Sequence, residues 1–262
     1  MTNQPAPRPT RAQRQRRIID RVVEQGFASV AELVEDAGVS VMTIHRDLDD
    51  LAGRGLLRRV HGGVSALPTG VFESSSEFRM QRQVEAKDAL ARTALTFVEP
   101  GMSVLLDDST TALALARLLP SIGALTVITN YRQVLEVLIE EDDIAVIMLG
   151  GAYSRTHDSF IGVPEASGLA TYAVDVSFQS TSTIDETRAY HQEQELVLMK
   201  RAMIEAGERS VLMIDGSKVG RRSLHRFAEL AEFSDLVVTP DVPVQMREAM
   251  AEHVSLHVTD GA

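Results

Sequence analysis

The residues best suited to hold a ligand lie just beyond short apolar runs in the second half of the chain. Asp107-Asp108-Ser109-Thr110-Thr111 follows Ser103–Leu106, and Thr129-Asn130 follows Leu125–Ile128. Gly150-Gly151 follows Ala145–Leu149, and Asp215-Gly216-Ser217-Lys218 follows Val211–Ile214. Hydroxyls beside free backbone N–H groups at a helix start suit a phosphate-like anion. The same Asp-Ser-Thr-Thr run can equally do no more than cap its helix. Paired glycines allow close backbone approach, or simply a turn. Lysine usage adds a separate clue. The chain has 23 arginines and only Lys87, Lys200 and Lys218. Where arginine is the default cation, a lysine marks a place that wants a compact ammonium. Lys200 and Lys218 are therefore candidates to approach an anion, although Lys200 could also be a solvated helix charge.

Those positions need a scaffold. Ser103–Leu106, Leu125–Ile128, Ala145–Leu149, Val174–Phe178, Val211–Ile214 and Leu236–Val238 read as strands. Ala112–Leu118, Tyr131–Ile139, Glu195–Ala206 and Pro243–His253 read as helices, with Phe78–Val98 as an introductory helix. Alternation of this kind predicts an α/β fold with a mostly parallel sheet covered on both faces. Ligands in such sheets bind beyond the carboxyl ends of the strands.

A second kind of chemistry sits near the N-terminus. Ser40 can cap a helix in which Val41, Ile44, Leu48 and Leu51 form a buried stripe. Met42, Thr43, His45 and Arg46 are then left outward near its start, the end that a recognition helix presents to base edges. Upstream, Arg16–Gln25 reads as a basic amphipathic helix closed by Gly26. Ser29-x-x-Glu32 is a capping box that opens a helix through Asp36, and Gly38 makes the turn. Leu56–Val60 and Val64–Leu67 read as strands joined at His61-Gly62-Gly63. The expected organisation is a disordered basic arm (1–11), a winged helix-turn-helix (12–67), a linker (68–77) and an α/β body (78–262). Arg16, Arg17, Arg58, Arg59 and His61 complete the candidate DNA contacts.

Charge divides the chain at the same place. Residues 1–66 carry ten arginines and a net charge of +2, whereas the remaining 196 carry −13. A basic cluster in front of a helix-turn-helix can neutralise phosphates. Cysteine is absent, which excludes disulfides and thiol chemistry. The polar, proline-broken start predicts neither a signal peptide nor a membrane span, hence a cytoplasmic protein. His253 and His257 are four apart but lack a third ligand, so no metal and no cofactor is expected. His157 and His191 are expected as exposed loop residues, and Ala112–Leu119 as core or subunit interface.

Across residues 12–240 the chain resembles the DeoR family of bacterial transcriptional regulators. Ser40, Thr43, Ile44, Arg46, Asp47 and Leu48 match its recognition-helix signature, and His45 stands where the family usually has arginine. Leu57, Arg59, Val60, His61, Gly62 and Gly63 match the wing. Asp107, Thr110 and Thr111 match the effector-domain pattern, with Ser109 in a glycine slot. Thr129-Asn130, Gly150-Gly151, Gly162, Lys200–Met203, Asp215, Ser217, Lys218 and Gly220 match as well. Phe178-Gln-Ser180-Thr-Ser182-Thr183 departs from it. The resemblance implies an effector domain similar to ribose-5-phosphate isomerase, bound to a phosphorylated sugar. Asp107, Ser109, Thr110, Thr111, Asn130, Gly150, Gly151, Lys200, Asp215 and Lys218 are the implied effector residues. It further implies a homo-oligomeric repressor of a carbohydrate-utilisation operon, released from double-stranded operator DNA by that sugar. Alternatives are an activator, a regulator that has lost sugar sensing, or an isomerase using Asp107, Asp215 or Glu195 as proton carrier. A winged helix would serve no purpose in an isomerase.

Overall fold

The computed structural model describes residues 9–53, 56–65, 76–162 and 168–260. The chain divides into two compact units, residues 1–79 and 80–262. Most of the expected arm and linker lies outside the described residues.

In the first unit α1 spans Arg11–Gln25, longer than the sequence suggests because Thr10 and Gln13 form a capping box ahead of it. Gly26 ends it, and the short strand β1 (Phe27–Ser29) follows. Ser29 caps α2 (Val30–Ala37) through the expected box with Glu32. Gly38 closes α2 in the left-handed region at φ 59°, where glycine pays no Cβ penalty. Next come α3 (Val41–Gly53), β2 (Arg58–Val60) and β3 (Gly63–Ser65). The sheet order is β1-β3-β2, antiparallel throughout. β1 was not expected, since three residues are too short to show a period. Gly63 is required there: a Cβ would stand 2.3 Å from the Ala28 carbonyl oxygen. Ile18, Val22, Leu33, Ile44, Leu48, Leu51, Leu56, Val64 and Phe78 form the core. Val41 is not part of that stripe and is about half exposed. It opens α3, before the helix turns inward.

The expected helix Phe78–Val98 is two helices, α4 (Ser76–Gln81) and α5 (Val84–Leu95). The break falls at Gln83, whose backbone is left-handed (φ 50°, ψ 42°). Nothing in the apolar pattern signals it.

Seven parallel strands form the main sheet of the second unit: β4 (Ser103–Leu106), β5 (Leu125–Thr129), β6 (Ile144–Met148), β9 (Val174–Gln179), β12 (Gly207–Ile214), β14 (Asp235–Val238) and β15 (Ser255–Val258). Their order is β15-β14-β12-β9-β4-β5-β6. Chain order reverses direction between β4 and β9, which makes that pair the topological switch point. Along β4, Val104 and Leu106 enter one core and Leu105 another, so both faces are covered. The helices are α6 (Thr110–Ala116), α7 (Arg132–Leu138), α8 (Gln194–Ala206) and α9 (Val244–Ala251). Two smaller sheets were not expected. β7 (Ala152–Ser154) and β8 (Ser159–Ile161) form a hairpin, and β10 (Thr183–Ile184), β11 (Arg188–His191) and β13 (His225–Glu229) form a three-stranded antiparallel sheet.

The histidine expectations need correcting. His157 and His191 are buried. His253 follows α9 while His257 lies on β15, so the two do not share a helix face. No described helix is long and apolar enough to cross a membrane.

Candidate anion site and nucleic-acid interface

In the first unit, helix packing decides which polar residues face outward. Ser40 Oγ accepts from the Thr43 backbone N–H at 3.2 Å and lies 2.9 Å from Thr43 Oγ1, so the expected cap is made. Met42 and Arg46 are exposed, and Thr43 and His45 are half-buried. His45 is tied to the wing: the Arg59 guanidinium donates to its Nδ1 at 2.8 Å. A guanidinium cannot accept, so Nδ1 is the acceptor in this contact. Arg59 also stands 3.6 Å from Asp49. Arg58 and His61 are exposed on the wing, and Arg16 and Arg17 are exposed on α1.

Not every arginine near the N-terminus serves as a phosphate contact. Arg14 is buried and donates to Asp47, which Gln15 also reaches at 3.3 Å. Arg11 pairs with Asp50 at 3.1 Å, and Arg21 pairs with Asp36. These contacts clamp α1 to α3 and α2. Sequence reasoning missed Arg14–Asp47; an acid on the inward side of α3, needing a cation, was the available signal.

In the second unit the carboxyl ends of the strands bring most of the candidates together. Asp107 is buried at the end of β4. Its Oδ2 accepts from Lys200 Nζ at 2.5 Å and from the Ser180 N–H at 2.9 Å, and its Oδ1 accepts from the Ser109 N–H at 3.0 Å. Lys200 lies on α8, also donates to the Ser180 carbonyl (2.8 Å), and stands 4.0 Å from Asp108. Lys200 is not a solvated helix charge; it is buried among carboxylates. Asp108 accepts from Ser159 Oγ at 2.8 Å, which ties the β7–β8 hairpin to this end. Lys218 donates to Ser180 Oγ (2.9 Å) and lies 3.7 Å from Asp215. Burial alone would raise the Asp215 carboxyl. The Lys218 charge, the Ser217 hydrogen bonds and the Lys87 charge hold it below the ordinary carboxylate value.

The sequence-predicted residues differ in what they offer. Ser109 Oγ is engaged in capping, accepting from the Ala112 N–H at 3.0 Å. Thr110 is buried in the first turn of α6, and Thr111 Oγ1 is buried with no partner. Asn130 donates Nδ2 to the Phe160 carbonyl (3.1 Å) while its Oδ1 has none. Both polar atoms of Gln179, the last residue of β9, are likewise buried and unmatched. Buried polar atoms are nearly always paired, so such orphans at one end of a sheet suit a ligand. Gly150 and Gly151 lie on an exposed turn after β6, and a Cβ on Gly150 would meet nothing within 4 Å.

Ser180 and Ser159 are constituents that sequence reasoning passed over, and Asp108 was quoted in its run without being given a role. Ser180 stood in the segment that departs from the family pattern, which drew attention to what was missing. Beside the site, a cleft of about 390 Å³ runs between the hairpin and α8, lined by Ser154, His157, Glu193, Glu195, Leu198 and Met199 among others. His157 Nε2 donates to Glu193 at 2.8 Å. Among the described residues no cluster of three His, Asp or Glu could hold a metal ion.

Known proteins match over both units. The pattern of the DeoR-like helix-turn-helix domain matches residues 14–69, and that of the DeoR C-terminal sensor domain matches residues 82–239. An L-fucose operon activator of Haemophilus influenzae is 33% identical over 90% of this chain and 95% of its own length. A glycerol-3-phosphate regulon repressor of Escherichia coli is 30% identical over 92% of this chain and 96% of its own. Among solved structures, ribose 5-phosphate isomerase A of Methanocaldococcus jannaschii aligns over 52% of this chain and 54% of its own, at 17% identity and a TM-score of 0.38.

Proposed function

Because the chain belongs to the DeoR family of transcriptional regulators, we propose that it is an operator-binding repressor of a carbohydrate operon, released by a phosphorylated sugar. In this reading α3 enters the major groove with Ser40, Met42, Thr43 and Arg46 toward the bases. Arg16, Arg17, Arg58, Arg59 and His61 approach the backbone. His45 acts less as a base contact than as a brace for Arg59, given their hydrogen bond. Two or more copies present paired helices to successive half-sites.

One observation carries the effector half of the proposal. At the switch point, two lysine ammoniums sit beside buried polar atoms that no protein group satisfies. An anion with hydroxyls would answer both kinds of demand: phosphate oxygens for Lys200 and Lys218, and hydroxyls for Asn130, Thr111 and Gln179. Its binding energy can shift the regulator only if it favours one of two conformations.

A catalytic role is disfavoured by the same geometry. A general base needs a tuned pKa and access to its proton. Asp107 already accepts three hydrogen bonds, and Asp215 is held low by its neighbours. The Haemophilus relative is an operon activator, which favours an activator as a second reading. In vitro transcription from the target promoter separates the two signs.

The test is fluorescence anisotropy of DNA from the protein's own upstream region, with and without a panel of sugar phosphates. Tight, salt-dependent binding relieved by one of them is expected. Arg46→Ala is expected to abolish binding while leaving the second unit folded. Unchanged affinity in that variant removes α3 from the interface, and release by no sugar phosphate removes the effector reading.

A further inference from the structure

All three lysines of this arginine-rich chain belong to the second unit, and Lys87 has no role in the reading above. It lies in the first turn of α5. That helix packs against β12 and β14 and leads through residues 96–102 into the start of β4. Its far end is therefore at the amino edge of the parallel sheet, and its first turn at the carboxyl edge. Asp215 stands at that edge, directly after β12. Lys87 lies close enough to Asp215 for its charge to act on that carboxyl.

Lys87 is also buried, with only 7% of its surface exposed, and its Nζ donates to the Arg82 carbonyl at 2.5 Å. That carbonyl belongs to the break between α4 and α5. The next residue, Gln83, is left-handed without being glycine and has no side-chain cap, a conformation that costs free energy and persists only when its surroundings impose it. The ammonium is one group that imposes it. A second is the Lys87 backbone N–H, which donates to the Gln83 carbonyl at 2.9 Å. One residue thus faces two ways: its charge acts on Asp215, and its hydrogen bonds hold the turn through which the chain arrives from residues 1–79.

We infer that Lys87 is the third ammonium of the anion site, and that an anion bound beside Lys200 and Lys218 draws it off the Arg82 carbonyl, loosening the Arg82–Gln83 turn. This inference rests on the effector reading above. It assigns to α5 the first step by which occupancy leaves the site. The strained Gln83 turn is then a latch: closed while the ammonium is held by a backbone carbonyl, and released when a dianion competes for it.

The full-length protein with inorganic phosphate as probe tests this, chloride at matched ionic strength serving as reference. In the wild type, phosphate is expected to raise the melting temperature and to speed hydrogen exchange at the amides of residues 82–87. Lys87→Met, which keeps length and removes charge, is expected to weaken the phosphate response about tenfold. Lys87→Arg, which keeps the charge, is expected to retain part of it. Wild-type exchange at residues 82–87 that phosphate leaves unchanged overturns the latch, and needs no variant to fold. Equal phosphate responses in wild type and Lys87→Met overturn the third ammonium. A wild type that neither phosphate nor any sugar phosphate affects overturns the anion site itself, and this inference with it.

Discussion

The two ends of the seven-stranded sheet both bury aspartates, yet they treat them differently. At the amino end, Asp235 accepts from Arg209 at 2.6 and 2.9 Å and from His257 at 2.7 Å. Arg209 also lies 4.2 Å over the Phe97 ring, whose edge meets His257. Asp175 at the same end is exposed, and it accepts from the Ser103 N–H and Oγ at 2.7 and 2.6 Å. Arg209 and His257 are partly exposed, so buried Asp235 is met by groups that reach in from solvent. At the carboxyl end the cation is itself buried: Lys200 touches Asp107 with almost no water near either group. Unmatched polar atoms remain beside it. The amino end thus meets its acid with solvent-reaching partners, whereas the carboxyl end pairs a buried cation with buried acids and leaves other polar atoms unmatched.

The sharpest break in that contrast is Lys200→Met. It leaves Asp107 and Asp108 buried without their counter-charge. Removing one partner of a buried pair costs about 3–5 kcal/mol, so urea unfolding should show a loss of that size. A loss under about 1 kcal/mol would mean that water already solvates this end, and the two poles would not differ as argued.

Asp235→Asn at the amino end should cost less, about 1–2 kcal/mol, because its partners keep solvent when the charge goes. Its pH signature is the sharper test. Burial alone would raise the Asp235 carboxyl, but Arg209 and His257 hold it below the ordinary value. A depressed folded-state pKa stabilises above the unfolded carboxylate pKa of about 4 and is lost as pH falls through the folded value. The acid limb of a melting-temperature profile should therefore flatten in Asp235→Asn. A limb unchanged from wild type would place the acid sensitivity elsewhere.

Lys218→Met separates stability from function at the carboxyl end. Lys218 is a quarter exposed, so its ion pair with Asp215 contributes little, under about 1 kcal/mol. Operator binding should persist, and its release by the effector should be lost. Normal release would take Lys218 out of the site.

How much of this was visible beforehand follows from the range of each interaction. Helix α3, its Ser40 cap and the Ser29–Glu32 box were legible because capping is local and leaves a spacing in the sequence. Six of the seven main-sheet strands were legible as apolar runs; β15 was not, since Ser255–Val258 alternates with serine and histidine on an edge. Lys200 and Lys218 stood out by composition, yet their partner Ser180 lies far from either in sequence, and nothing local announces a backbone carbonyl as an ammonium acceptor. The Gln83 break was invisible for the same reason: its cause includes a tertiary hydrogen bond, and the flanking apolar pattern continues through it.

The smallest expected effect concerns Ser109, which occupies a position where the resemblance calls for glycine. Its Oγ caps α6 through the Ala112 N–H, and its N–H closes a turn onto Asp107 Oδ1. Neither contact offers the hydroxyl to a ligand. Glycine is nearly as good an N-cap as serine, differing by a few tenths of a kcal/mol, whereas alanine costs about 1 kcal/mol. Ser109→Gly should then leave both stability and effector response close to wild type, and Ser109→Ala should lower stability alone. Should Ser109→Gly instead change the effector concentration needed for release by about tenfold, roughly 1.4 kcal/mol, the hydroxyl would count among the ligand contacts. The line between structural and ligand-facing groups at the carboxyl end would then have to be drawn one residue further out, past the helix cap itself.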